Sequence, residues 1–147
     1  MIFLFRFYRV TPIEQSTNIE WRNDVKNWAS KGRKIIRIIV LPNKETDYNK
    51  WVLRVLELNA LSGEEIVFIS EKDYLKFLNG KQSSDFWIFD ESKVIKLFYD
   101  DNNDYTYSET ITNNLNDYLD LFNVLYKNGT PLIEVLRKTR KNSKIIM

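Results

Sequence analysis

The chain has neither histidine nor cysteine in its 147 residues. That removes the imidazole general base, the thiolate nucleophile, disulfides and nearly every zinc or iron–sulfur site. Glycine is scarce, with 4 in all, and none falls in a G-x-x-x-x-G-K arrangement, so a phosphate-cradling loop of that kind is excluded. No apolar run approaches the roughly 20 residues that a membrane span needs. The apolar start, MIFLF, is interrupted by Arg6 and Arg9 and lacks a small-residue cleavage site, which argues against a secretory signal. The expectation is a cytoplasmic protein with no membrane span, no cofactor and no metal, and the absence of cysteine agrees with that location.

What remains is an ordinary globular composition, 44% hydrophobic and 29% charged, with many aromatics (9 Phe, 8 Tyr, 4 Trp). A chain of this size suits one domain with a real core. The net charge of +2 is unevenly spread: after residue 130, Arg137, Lys138, Arg140, Lys141 and Lys144 face Glu134 alone, a local balance of +4 that leaves −2 on the other 130 residues. Residues 1–132 are therefore expected to form a single α/β domain and 133–147 a basic C-terminal helix or tail. Such a tail can touch phosphates or anionic lipid, so direct nucleic-acid contact is expected only there; the plainer reading is a solvated end that complements a helix dipole.

Residues 2–10 are aromatic and branched and read as a strand closed by Thr11-Pro12. Trp21, Val25, Trp28 and Ala29 make one apolar stripe over 19–30, a helix stopped at Lys31-Gly32. Residues 34–41, KIIRIIVL, form a short apolar run bounded by Gly32 and Pro42, which predicts a strand covered on both faces and central in its sheet. A helix over 47–61 and a strand over 65–70 complete a strand–helix–strand crossover with parallel strands. A short helix over 73–78 and a loop over 79–84 follow. Residues 85–90, 93–99 and 105–112 then read as an antiparallel meander. Leu115, Tyr118, Leu119, Phe122, Leu125 and Tyr126 mark an amphipathic helix stopped at Asn128-Gly129, and Pro131 opens a last helix. The fold class is α/β: one domain, a mixed sheet and helices on both faces.

Arg37 is the sharpest single residue, because an unpaired guanidinium in an apolar strand costs several kcal/mol. It needs a partner, either Asp85, Asp90 or Glu64 in an internal ion pair, or an anionic ligand if it lines a pocket. In open α/β sheets ligands favour the crevice beyond the carboxyl ends of parallel strands. Arg37 and Tyr48 are expected at that edge, with Ser83, Asp85 and Asp90 reaching across to form a candidate ligand site. Residues 100–104, DDNND, place oxygens as a calcium loop does, but Tyr105 and Ile111 stand where its glycine and glutamate belong, so a polar hairpin turn is expected. Asp85, Glu91 and Lys93 suggest a metal-dependent nuclease only weakly, since Glu91 and Lys93 fall in a tight turn. The tryptophans and tyrosines could stack on bases, but Trp21, Trp28 and Trp51 sit on helix core stripes and Trp87 in a strand, and the body is slightly negative.

Trp28 before a glycine, Arg37 within IRIIV, Pro42, Tyr48 with Trp51, Ala60 with Gly63-Glu64, the run DFWIFD at 85–90, Tyr99-Asp100 and Pro131 together resemble a family of small bacterial proteins of unknown function. That family is of actinobacterial type and is often encoded beside helix-turn-helix regulators. The resemblance spans residues 20–132 and departs in a shorter N-terminal part and a longer 42–48 loop. It implies an α/β fold and a regulatory neighbourhood, and carries no catalytic residue. The layout is also similar to phospholipase-D-like domains. Their motif sets His, one residue, Lys, four residues, Asp; with Asp90 last, Ser83 and Asp85 occupy the first two places. A serine and a carboxylate supply neither the nucleophile nor the phosphate's cationic partner, so this resemblance implies a degenerate site that binds without turnover.

The expected function is a non-enzymatic regulatory or partner- or ligand-binding protein, with a protein partner such as a helix-turn-helix regulator or a toxin. One alternative is an antitoxin or immunity protein that neutralises its partner by contact. The other is a metal-dependent phosphodiesterase or nuclease using Asp85, Asp90 and Glu91.

Overall fold

The run IIRIIVL forms the strand about which the molecule is built: Ile35, Ile36, Ile38, Ile39 and Val40 are all buried. The computed structural model describes the backbone of residues 2–7, 12–41, 47–81, 85–102 and 104–138, and the side chains of 19–40, 53–54, 56–81, 85–102 and 104–138. In chain order the elements are β1 (Ile2–Phe7), α1 (Pro12–Ser30), β2 (Ile35–Leu41), α2 (Asp47–Leu61), β3 (Glu65–Ser70), α3 (Glu71–Leu78), β4 (Asp85–Phe89), β5 (Lys93–Tyr99), β6 (Tyr105–Ile111), α4 (Leu115–Asn128) and β7 (Thr130–Pro131). A final helix, α5, covers 132–138. The strands form one mixed sheet of order β6-β5-β4-β1-β2-β3-β7.

β1, β2 and β3 are parallel, with Arg37 in register between Leu4 and Ile66. The two crossovers step in the same direction across the sheet, so a shared hand places both connecting helices on one face. On that face α1 brings Val25 onto Ile35 beside Trp21, Trp28 and Trp87, while α2 and α5 bring Leu56 and Leu132 onto Ile39, Ile66 and Phe68. The alternate strand residues Ile36, Ile38, Val40, Val67, Ile69, Phe86, Ile88 and Val94 point to the other face, under Tyr74 and Leu78 of α3 and Phe122 and Leu125 of α4. Helices thus cover both faces. β4 returns antiparallel beside β1, and β4, β5 and β6 form the expected meander.

Several boundaries differ from the sequence reading. β1 is described over Ile2–Phe7, and the rest of the expected strand, residues 8–10, lies outside the described residues. α1 begins at Pro12, since a proline whose φ is already helical and whose missing N–H would be unpaired anyway opens a helix well. α3 begins at Glu71, where the Ser70 hydroxyl accepts from the Asp73 N–H at 3.1 Å. Asp90 has left β4 for the turn, with φ of 52° at Asp90 and 58° at Glu91. The chain also adds a two-residue strand before α5, pairing Thr130 and Pro131 with Phe68 and Val67. The Asp100–Asp104 loop is a hairpin turn whose Asp100 Oδ1 accepts from the N–H groups of Asn102 at 2.9 Å and Asp104 at 3.0 Å.

Gly129, between α4 and β7, has no room for a side chain: a Cβ there would run into Val67 Cγ1 and sit 3.0 Å from the Phe68 carbonyl oxygen. Val67 is buried and stiff at χ1. Gly129→Ala is therefore expected to lower stability by about 1–3 kcal/mol, as overpacking does. Chemical denaturation reads this directly, and an unchanged midpoint would contradict the close approach.

Candidate functional site

Of the five residues expected to line one ligand site, Arg37, Asp85 and Asp90 have described side chains, and these three are not brought together. Arg37 is the third residue of β2 and turns toward the amino edge of the parallel strands, because its partner Glu64 lies just before β3, beside Ile35 in register. Asp85 opens β4 at the carboxyl edge and is 2% exposed. Asp90 lies beyond the other end of the same strand, at the amino edge, and is exposed. Five strand residues at about 3.4 Å each keep these carboxylates apart. Ser83 and the Tyr48 side chain lie outside the described residues, as do Arg140, Lys141 and Lys144; Arg137 and Lys138 are exposed at the end of α5.

Arg37 belongs to a buried clamp. Its Nε donates to Glu64 Oε1, and Trp21 Nε1 donates to Glu64 Oε2 at 3.0 Å. The guanidinium lies over the Trp21 ring, 5.6 Å from its centroid, so one cation meets both a carboxylate and a π-face. Trp21 in turn contacts Trp28 edge-on at 5.6 Å and Trp87 at 6.1 Å. Local chain geometry delivers Glu64 to this point: Gly63, at φ of 119°, passes so close to Ala29 that a Cβ would lie 2.9 Å from the alanine methyl. The cluster ties α1, β2 and the turn after α2 together. With both oxygens of Glu64 engaged, its geometry is that of an internal ion pair.

The opposite face carries an open cleft of about 400 Å³ between α3, α4 and β5. Phe77, Leu78 and Leu121 supply its apolar surface, Lys81 and Lys96 its positive groups, and Asp117 and Asp120 its negative ones. Asp117 and Asp120 share a side of α4 through their i, i+3 spacing. Lys96 stands in register with Phe86 and Glu109 and its Nζ lies 5.1 Å from the Phe98 ring centroid. Tyr118, edge-on to Phe86 at 5.0 Å, lines the cleft; burial, and then the neighbouring Asp117 carboxylate, push its phenol above the usual range, so it stays a neutral donor. No serine, threonine, histidine or cysteine is among the described lining residues. Apolar contact with a rim of both signs can hold a segment of peptide, with specificity set by the rim.

Sequence reasoning missed this cleft. The available signal was Lys96, which alternates with Val94 and Phe98 onto a strand face that a helix covers, and the Asp117/Asp120 pair beside the apolar stripe of α4.

On the same face of the sheet, the Tyr126 hydroxyl donates to Glu65 Oε1, and Lys34 Nζ lies 3.5 Å from Glu65 Oε2. The hydrogen bond to Glu65, then burial and the carboxylate's charge, raise the Tyr126 pKa above its ordinary value of 10.0. The unfolded chain therefore loses this proton first, and stability present below about pH 10 falls as pH rises through the folded value. Thermal melts from pH 8 to 11 should show a smaller alkaline loss in Tyr126→Phe than in the wild type; equal losses would deny the bond.

The model of the domain of unknown function DUF6879 matches residues 4–137. The chain belongs to that family. The DUF6879 match takes in Trp21, Arg37 and Glu64 of the clamp and every residue lining the cleft. No curated protein matches the chain. Among the described residues no helix is long and apolar enough to cross a membrane.

Proposed function

We propose that this DUF6879 protein is a non-enzymatic regulatory module of the cytoplasm that binds a partner protein in the cleft between α3 and α4. The observation that carries this reading is the cleft itself, an apolar floor between two helices with Lys81 and Lys96 facing Asp117 and Asp120. Val124 on its wall, at 38% exposure, extends the apolar surface outward. A groove of this kind suits an amphipathic helix whose apolar side seats on the floor while its charges meet the rim. A helix-turn-helix regulator, the neighbour that the sequence resemblance implies, is the first partner to test, and a toxin is the second.

The test is titration of the purified full chain with such a regulator. Val124→Asp and Lys96→Glu should each weaken binding tenfold or more, whereas Ile133→Asp, at an exposed apolar position of α5, should not. A parallel incubation with magnesium or manganese and DNA, RNA or a phosphodiester tests the catalytic alternative. Turnover abolished by Asp85→Asn or Asp90→Asn would overturn the non-enzymatic reading.

A further inference from the structure

The two edges of the sheet are treated differently. β7 closes one edge with two residues, one of them Pro131, which has no N–H to offer. β6 closes the other with seven residues, Tyr105–Ile111, of which the first six are exposed. Natural sheets blunt such edges with lysine, proline, short strands or covering segments, because an open edge offers a row of unpaired N–H and C=O groups to another strand. β6 holds no proline, lysine or arginine, and its one irregularity is a bulge opposite Phe98 and Tyr99. The surface beside it is aromatic: Tyr107 stacks on Phe98 at 4.5 Å and Tyr99 meets Tyr105 edge-on at 6.4 Å, with Tyr105 and Tyr107 at 59% and 51% exposure.

We propose that β6 pairs antiparallel with β6 of a second copy of this chain, joining two sheets across a two-fold axis at Ser108. Charge and length select this occupant and this register. A two-fold at Ser108, the middle of the strand, overlaps all seven residues and keeps Ser108, a small side chain, opposite itself. It sets each Glu109 against the partner copy's Tyr107. Centring one residue later would place the two Glu109 carboxylates directly opposite, a like-charge pair that sheets disfavour. Each Glu109 also has Lys96 as its register partner on its own β5, so the row across the joint is charge-balanced. The joint and the α3–α4 cleft share Lys96, but the Ser108 variants leave every cleft-lining residue unchanged, so the pairing is tested independently of the proposed function.

The chain's lack of cysteine makes the test clean. Directly opposed Cα atoms in an antiparallel pair lie about 4.5–5.5 Å apart, within reach of a disulfide. Ser108→Cys, oxidised gently as the full chain, should become a covalent dimer, whereas Ser92→Cys in the β4–β5 turn should stay monomeric. By sedimentation, Ser108→Lys should weaken self-association at least tenfold, and so should Ser108→Asp. Mixing the two should restore a dimer through opposite charges. Wild-type protein that sediments as a 17.7 kDa monomer up to high concentration, or a mixture that stays monomeric, would overturn the pairing.

Discussion

Arg37→Ala is expected to destabilise the fold by about 3–5 kcal/mol, the range for removing one partner of a buried ion pair. Arg37 and Glu64 are 8% and 3% exposed, so the substitution leaves a carboxylate buried without its cation. It also withdraws the guanidinium from the Trp21 ring, which loosens the seat of α1 on the sheet. The double replacement Arg37→Met with Glu64→Met removes both charges and keeps comparable volume. It should recover part of the loss, since apolar substitutes for buried pairs are often neutral or better, while the Trp21 indole N–H loses its acceptor. Urea denaturation of the three proteins measures this; an Arg37→Ala loss below about 1 kcal/mol, the value of an exposed pair, would contradict a buried clamp.

Phe122→Ala is expected to cost a similar amount, about 3–5 kcal/mol, through lost burial and the cavity left behind. Phe122 is 1% exposed and belongs to the core cluster that joins α4 and α3 to β2, β3, β4 and β5. Its ring runs nearly parallel to that of Tyr126, 6.5 Å away, so the cavity would open along the helix that carries Asp117 and Asp120. Partner affinity should therefore fall along with stability, whereas Arg37→Ala, on the other face, should spare it. A Phe122→Ala midpoint within 1 M urea of the wild type at unchanged slope would mean that α4 is not seated as described, because urea slopes for small domains are about 1–3 kcal/mol/M.

Most of the frame was legible because it rests on local patterns. KIIRIIVL announced a strand buried on both faces, and the apolar, aromatic segments 85–90 and 93–99, set apart by turn residues, gave the paired strands of the meander. The spacing of Leu115, Tyr118, Phe122 and Leu125 gave α4. What stayed hidden depends on pairings between distant segments. The apolar run of β1 does not say that it lies between β4 and β2. Residues 12–18 carry no clear apolar stripe, so α1 read as two turns shorter than it is; only Pro12 hinted at its start.

The candidate site was less legible than the fold for the same reason. Three carboxylates could have answered Arg37, and the choice of Glu64 follows from the turn at Gly63 and from register. Asp85 and Asp90 look close in sequence, but a five-residue strand carries them to opposite edges of the sheet. The cleft draws on Lys81, Lys96 and Asp117, which only the packing of α3, α4 and β5 brings together.

The proposed function is tested most directly by locating a bound segment. Peptides selected from a random library against the immobilised full chain can be titrated into ¹⁵N-labelled protein and followed through backbone amide shifts. The account predicts that the largest shifts fall at residues 77–81, at Lys96 and at 114–124, and that Val124→Asp removes them. Shifts gathered instead around Asp85 and the carboxyl ends of β2 and β3, leaving α3 and α4 unmoved, would contradict it.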